Sequence, residues 1–246
     1  MNLIKKYLGK VLAFTGAGAS AEAGIPTFRG KGGLWDKYKP EELATPHAFS
    51  KDPKKVWEWY KWRMSIISRA KPTRAHEVLA KWEERGILMG VVTQNVDGLH
   101  QVAGSKNVVE LHGSVWRVRC SSCGIKYDLE FGRIPEEELP TCRRCHGLLR
   151  PDVVWFGEPI PHDQFNRAQK MFSEAEVILV IGTSGAVMPA AMLPINAAME
   201  GKVLIEINPE ETNLSSFSTI KIREPAGKAF DKLDKILWEE GSLEDR

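Results

Sequence analysis

Five short apolar runs punctuate the chain: VLAFT (11–15), ILMGVVTQN (87–95), VVELHG (108–113), VILVIGTS (177–184) and VLIEINP (203–209). Each is nearly continuous in aliphatic residues rather than alternating, which is the pattern of a strand buried on both faces. Helical stretches separate them, so the pattern predicts an α/β fold with a parallel sheet covered on both sides. Every run ends in small or polar residues, namely Gly16, Gln94-Asn95, His112-Gly113, Gly182-Thr183-Ser184 and Asn208. Ligands of open α/β sheets sit at the carboxyl ends of the strands, so these endings are expected to converge on one crevice.

Two stretches interrupt the alternation. Residues 33–76 read as helical and are rich in Trp and Tyr, and residues 119–148 carry all four cysteines. Segments 33–76 and 118–148 are expected to form a smaller inserted module, with 1–32, 77–117 and 149–246 building the sheet domain. In the first segment Asp52-Pro53 reads as an N-cap with proline at the first helical position, and Pro72 lies past the helix end. That helix contains WEWYKWRMS (57–65), which puts Tyr60 and Arg63 on one face. Taken alone, the spacing fits an arginine that stacks on a tryptophan or reaches water. The uncharged run 177–199 is long enough to span a bilayer. Its glycines, prolines and polar residues fit a buried strand feeding a loop instead, so no membrane partner is expected. The C-terminal EEGSLEDR is expected to fray.

Composition narrows the classes. The 246 residues are 43% apolar and 27% charged, ordinary values for one large domain or a domain with an insertion. A net charge of +2 is too balanced for nucleic acid as the main partner. The apolar VLAF runs straight into TGAGAS, unlike a signal peptide, so a cytoplasmic location is expected.

Three clusters carry candidate chemistry. Cys120 and Cys123 form one C-x-x-C and Cys142 and Cys145 a second, the spacing of a zinc ribbon. Four thiolates fill a tetrahedral shell and leave no open position, so the expected Zn2+ is structural. The second cluster is VLAFTGAGASAEAGIPTFRG. A strand leads into Gly16-Ala17-Gly18-Ala19-Ser20-Ala21, a G-x-G-x-x-G/A pattern whose backbone can approach a pyrophosphate where a helix begins. The acidic strand end that a dehydrogenase places about twenty residues on is missing. A polar, Gly-rich loop carrying Phe28 and Arg29 stands there instead. The third cluster is VVTQNVDGLH with ELHG. Gln94, Asn95 and Asp97 leave one strand end and His112 the next. An imidazole facing a nucleotide crevice beside an amide and a carboxylate suits a general base.

In their order along the chain, GAGASAEAGIPTFRG, TQNVDGLH, ELHGSVWRVRC, the paired C-x-x-C, RPDVVWFGE, GTSGAVMPAA and EINPEE resemble the sirtuins, which are NAD-dependent protein lysine deacylases. The resemblance runs from Val11 to Ala226. It implies a Rossmann-like domain, a smaller zinc-and-helix module, and a cleft between them for NAD and an acyl-lysine peptide. It implies that Gly16, Ala17, Ser20 and Ala21 cradle phosphates, that Phe28 and Arg29 cover the sugar end, and that Gln94 contacts ribose. Ile25, Asn95 and Asp97 are then expected around nicotinamide, and Gly182, Thr183, Ser184, Asn208 and Ala226 on the adenosine side. Val153, Val154, Phe156 and Gly157 are implied to pair with the acyl-lysine protein substrate as an added strand.

The implied chemistry consumes NAD rather than reducing it. The acyl oxygen attacks ribose C1′, nicotinamide leaves, His112 takes a proton from the ribose hydroxyls, and the acyl group ends on ADP-ribose. Asn95 and His112 are the expected catalytic residues. Thr27 stands where many members have Asp, and Gly98 follows Asp97; neither change removes a catalytic group. The Y-x-x-R pair resembles the class III sirtuins, which remove succinyl, malonyl and glutaryl groups, so Tyr60 and Arg63 are implied to grip an acyl carboxylate. A plain deacetylase or a mono-ADP-ribosyltransferase is the alternative within the family. Outside it, the rivals are a dehydrogenase with a structural zinc and a zinc-ribbon nucleic-acid module.

Overall fold

A computed structural model describes residues 2–30 and 32–239. Residues 240–246 lie outside it, and with them most of the EEGSLEDR tail. The strands are β1 (Val11–Thr15), β2 (Leu88–Thr93), β3 (Val108–Glu110), β4 (Gly113–Cys120), β5 (Lys126–Asp128), β6 (Leu149–Val153), β7 (Val177–Ile181), β8 (Val203–Ile207) and β9 (Ile220–Ile222). All five apolar runs fall in strands of one sheet, ordered β3-β2-β1-β7-β8-β9, and every neighbouring pair is parallel. β1 and β7 are buried along their whole length, as their unbroken aliphatic sequence requires. The edge strand β9 reads IKI, too short and too polar for the apolar pattern to mark.

Helices Arg74–Glu84 and Ala226–Glu239 cover one face, where Val78, Trp82 and Phe230 pack on β1 and β7. Helices His162–Glu174 and Met192–Met199 cover the other, with Phe172 and Leu193 against Phe14 and Ile178. The winding reverses between β1 and β7. A doubly wound sheet opens its ligand crevice at that switch point. The uncharged run 177–199 is β7, a loop and a short helix, and no described helix is long and apolar enough to cross a membrane.

A separate apolar core lies outside the sheet. It gathers the antiparallel sheet β5-β4-β6 and four helices: Leu34–Lys37, Pro40–Leu43, Pro46–Lys51 and Pro53–Ile67. The last starts where its sequence predicts, with the Asp52 carboxylate accepting the Lys55 N–H at 3.0 Å ahead of Pro53. It buries Val56, Trp57, Tyr60, Met64 and Ile67, and Arg63 falls in that same buried stripe. Trp57 Nε1 donates to the Leu149 carbonyl at 2.9 Å and ties the helix to β6.

Candidate active site

A cavity of about 710 Å³ lies at the carboxyl ends of β1, β2 and β7. Its floor is bare backbone. Gly18 N–H donates to the Gly182 carbonyl at 2.8 Å, and a Cβ on Gly18 would stand 2.7 Å from Gly182 Cα. A Cβ on Gly16 would stand 2.7 Å from Thr183 Cβ. The glycines thus serve two needs: the ends of β1 and β7 meet backbone to backbone, and the surface they leave suits a pyrophosphate. The segment that follows is a 3-10 helix, Ala17–Ala23, stopped by Gly24 in the left-handed region at φ +81°. Ala17, Ala21, Phe28 and Arg29 line the cavity with Gln94, Gly182, Thr183, Ser184, Asn208 and Ala226. Gln94 Nε2 donates to Thr183 Oγ1 at 2.9 Å, which links the β2 and β7 ends across the switch point.

Three residues expected at the ligand do not line this cavity. Ser20, Ile25 and Asp97 are buried and do not line the cavity, whereas Asn95 does. Ser20 Oγ donates to Asp97 Oδ2 at 2.7 Å, and the Leu99 N–H donates to Oδ1 at 2.9 Å, so protein groups hold both carboxylate oxygens. Asn95 Nδ2 donates to the Gly16 carbonyl at 3.0 Å and to Ser20 Oγ at 3.2 Å. The Ser20 hydroxyl thus links Asp97 to Asn95. Ile25 packs in the core of the smaller module. Sequence reasoning missed the layer beneath. His76 Nδ1 accepts the Thr73 N–H at 3.1 Å, and its Nε2 lies 3.4 Å from Ser20 Oγ. His100 Nε2 lies 2.9 Å from Thr15 Oγ1. Both histidines sit in helices, His76 in Arg74–Glu84 and His100 in Leu99–Val102 at the end of the TQNVDGLH stretch, so their meeting beneath the site is not marked by any local spacing.

His112 lines the cavity from the turn between β3 and β4. Its Nδ1 lies 3.1 Å from the Gln94 carbonyl. A carbonyl only accepts, so Nδ1 carries the proton and Nε2 keeps its lone pair. Burial pushes the imidazole below its ordinary pKa of 6.5, with the Gln94 carbonyl opposing, so the ring is neutral near pH 7.

Tyr60 and Arg63 also line the cavity. The Arg63 guanidinium carbon lies 4.4 Å from the centre of the Phe28 ring and 5.1 Å from that of Trp59. The side chain is 6% exposed and, among the described residues, forms no ion pair and no hydrogen bond. Burial lowers its pKa while Tyr60 and Asp97 oppose that shift; a guanidinium stays charged regardless. Tyr60 Oη accepts Trp155 Nε1–H at 2.8 Å, and burial pushes the phenol up to about 12, so it keeps its proton. Beside them, Val153, Val154, Phe156 and Gly157 line the opening. The N–H groups of Val154 and Phe156 go to the carbonyls of His112 and Ala44, both at 2.9 Å. Among the described residues nothing takes the Val154 or Phe156 carbonyls, so only part of this edge is open to an added strand.

The four cysteines meet beyond β4. Their Sγ atoms all lie within 4.8 Å of one another, with Cys120 to Cys145 at 3.4 Å and Cys123 to Cys142 at 3.7 Å. Zn–S bonds of about 2.3 Å in a tetrahedron separate sulfurs by roughly 3.8 Å, so the donor set fits zinc. Tyr127 Oη lies 3.3 Å from Cys142 Sγ at the edge of this cluster.

A model of the Sir2 family matches residues 16–189, and the NAD-dependent protein deacylase 2 of Pyrobaculum aerophilum is 53% identical over 222 residues, covering 90% of this chain and 88% of that protein. The chain belongs to the Sir2 family. It is an NAD-dependent protein deacylase of that family, a sirtuin. The deacylase of Pyrococcus abyssi is 52% identical over 226 residues, covering 90% of each chain. Among solved structures, a Sir2 homologue in complex with NAD superposes at a TM-score of 0.89, with 49% identity over 98% of this chain and 94% of that one. A Sir2 structure with a p53 peptide and NAD+ superposes at 0.85, with 34% identity over 98% and 96%.

Two expectations attach to this sirtuin at once. If neutral His112 is the base, kcat/KM should fall in acid with a midpoint below 6.5 and stay flat from about pH 7 to 8, because a depressed pKa is crossed only as pH drops. A profile still rising through neutrality would remove His112 from that role. Chelating zinc, or Cys142→Ser, should loosen β4 to β6 and, through the Trp57–Leu149 bond, the helix that carries Tyr60 and Arg63. Near-ultraviolet circular dichroism and activity should fall together; a folded but inactive chelated protein would mean that zinc acts in the chemistry.

Proposed function

We propose that this sirtuin removes acyl groups ending in a carboxylate, succinyl and malonyl foremost, from lysine side chains, with deacetylation as a lesser activity. The observation that carries the reading is Arg63, buried in the cavity wall with no anion to pair with. A buried charge without an anion costs several kcal/mol; the Phe28 and Trp59 rings offset part of it, and an acetyl methyl would leave the rest in place. A carboxylate removes it, gripped by the guanidinium while the Tyr60 hydroxyl donates a second bond.

NAD bound over the glycine floor supplies an electrophilic ribose C1′ and nicotinamide as leaving group. The protein's part is positional. Arg63 and Tyr60 anchor the far end of the acyl chain, and the 153–157 segment holds the peptide backbone. Phe28, Trp35 and Trp59 form an aromatic wall that keeps water out, with ring centres 5.2 Å apart between Phe28 and Trp35 and 5.9 Å between Trp35 and Trp59. Asn95, its amide nitrogen fixed by Gly16 and Ser20, lines the cavity, and His112 Nε2 takes a proton from a ribose hydroxyl. Incubated with NAD and a succinyl-lysine peptide, the protein should release nicotinamide, free lysine peptide and O-succinyl-ADP-ribose in equal amounts. Accumulation of NADH, or nicotinamide release without loss of the acyl group, would refute it.

A further inference from the structure

The cavity wall holds a residue that the motif reading passed over. Trp155 sits in the middle of the peptide-facing segment, 2% exposed, and is held from three sides. Its backbone N–H donates to Glu158 Oε2 at 2.9 Å. The Arg150 guanidinium lies 3.2 Å from the centre of its ring, and the same arginine pairs with Glu158 at 2.6 Å and donates to the Val153 carbonyl at 2.9 Å. The indole N–H points the other way and donates to Tyr60 Oη.

An indole nitrogen only donates, so the direction of this bond does not depend on where hydrogens are placed. It occupies a lone pair of Tyr60 and leaves the phenol proton without an acceptor among the described residues. That proton is left for the cavity, and accepting one hydrogen bond polarises the hydroxyl into a better donor of the next. We propose that Trp155 is a specificity-positioning residue, which acts through Tyr60 to favour acyl groups bearing a carboxylate. The segment that holds the peptide backbone would then also orient the group that reads the acyl chain.

This inference rests on the carboxylate reading of Tyr60 and Arg63, so its test carries a separate arm for that reading. Trp155→Phe keeps a ring for Arg150 to stack on and removes only the N–H. The readout is the ratio of kcat/KM on succinyl- and acetyl-lysine forms of one peptide. We expect the ratio to fall about tenfold, mostly through KM for the succinyl peptide, the scale of one hydrogen bond. In a Tyr60→Phe background Trp155→Phe should change the ratio no further, since its effect passes through the hydroxyl. A merely structural Trp155 would lower both substrates alike, or act equally in both backgrounds, and either result overturns the proposal. Arg63→Met is the control arm. If it lowers the ratio and Trp155→Phe does not, only the role of Trp155 fails; if it leaves the ratio unchanged, both readings fail.

Discussion

Replacing His112 by Ala should lower kcat for deacylation by about three orders of magnitude, in the middle of the range for a lost general base. The ring is fixed by one bond to the Gln94 carbonyl and presents Nε2 to the cavity, so its loss removes a proton acceptor and little packing. NAD affinity should change less than about threefold, because the glycine floor and the Gln94–Thr183 link do not depend on the imidazole. Steady-state turnover together with NAD titration of the variant checks both halves. Near-normal turnover would remove His112 from the chemistry, and loss of NAD binding would make it a structural residue.

Arg63→Met should lower kcat/KM for a succinyl-lysine peptide about 100-fold, equivalent to roughly 3 kcal/mol of charge-assisted binding. Methionine matches the arginine stem and packs against Phe28 and Trp59, so the wall stays closed and acetyl-lysine turnover should hold or rise. The variant should melt no lower than the wild type, because the substitution removes a buried charge that has no ion pair. Equal slowing on both peptides, with a lower melting temperature, would mark Arg63 as a structural arginine.

The sheet was legible because its central strands β1 and β7 are buried on both faces and their neighbours largely so, which leaves near-continuous aliphatic runs. The crevice was legible for a related reason, since each run ends in residues that cannot continue a buried strand. The cysteine spacing identified the metal donors because two tight knuckles suffice to bring four sulfurs together. Less was visible where partners come from distant elements. Ser20, by its place in a glycine-rich turn, looked like a phosphate ligand. Its hydroxyl donates to Asp97, which lies just ahead of the helix Leu99–Val102 and is remote in sequence. His76 and His100 meet at 4.6 Å between ring centres from separate helices, a proximity that no local pattern encodes. Trp155 drew no attention within RPDVVWFGE, and only the packing of the helix Pro53–Ile67 against it shows where its N–H goes.

Arg63 raises the question that matters most. From its helix alone it fits an arginine that stacks on a tryptophan or reaches water; it does stack, 5.1 Å from the centre of the Trp59 ring, but it is buried and has no anion partner among the described residues. The direct measurement is the wild-type kcat/KM on succinyl- and acetyl-lysine forms of the same peptide at saturating NAD, followed by nicotinamide release. A buried guanidinium awaiting a carboxylate predicts that the succinyl peptide is preferred by about tenfold or more. An acetyl peptide cleaved faster than its succinyl counterpart would contradict it.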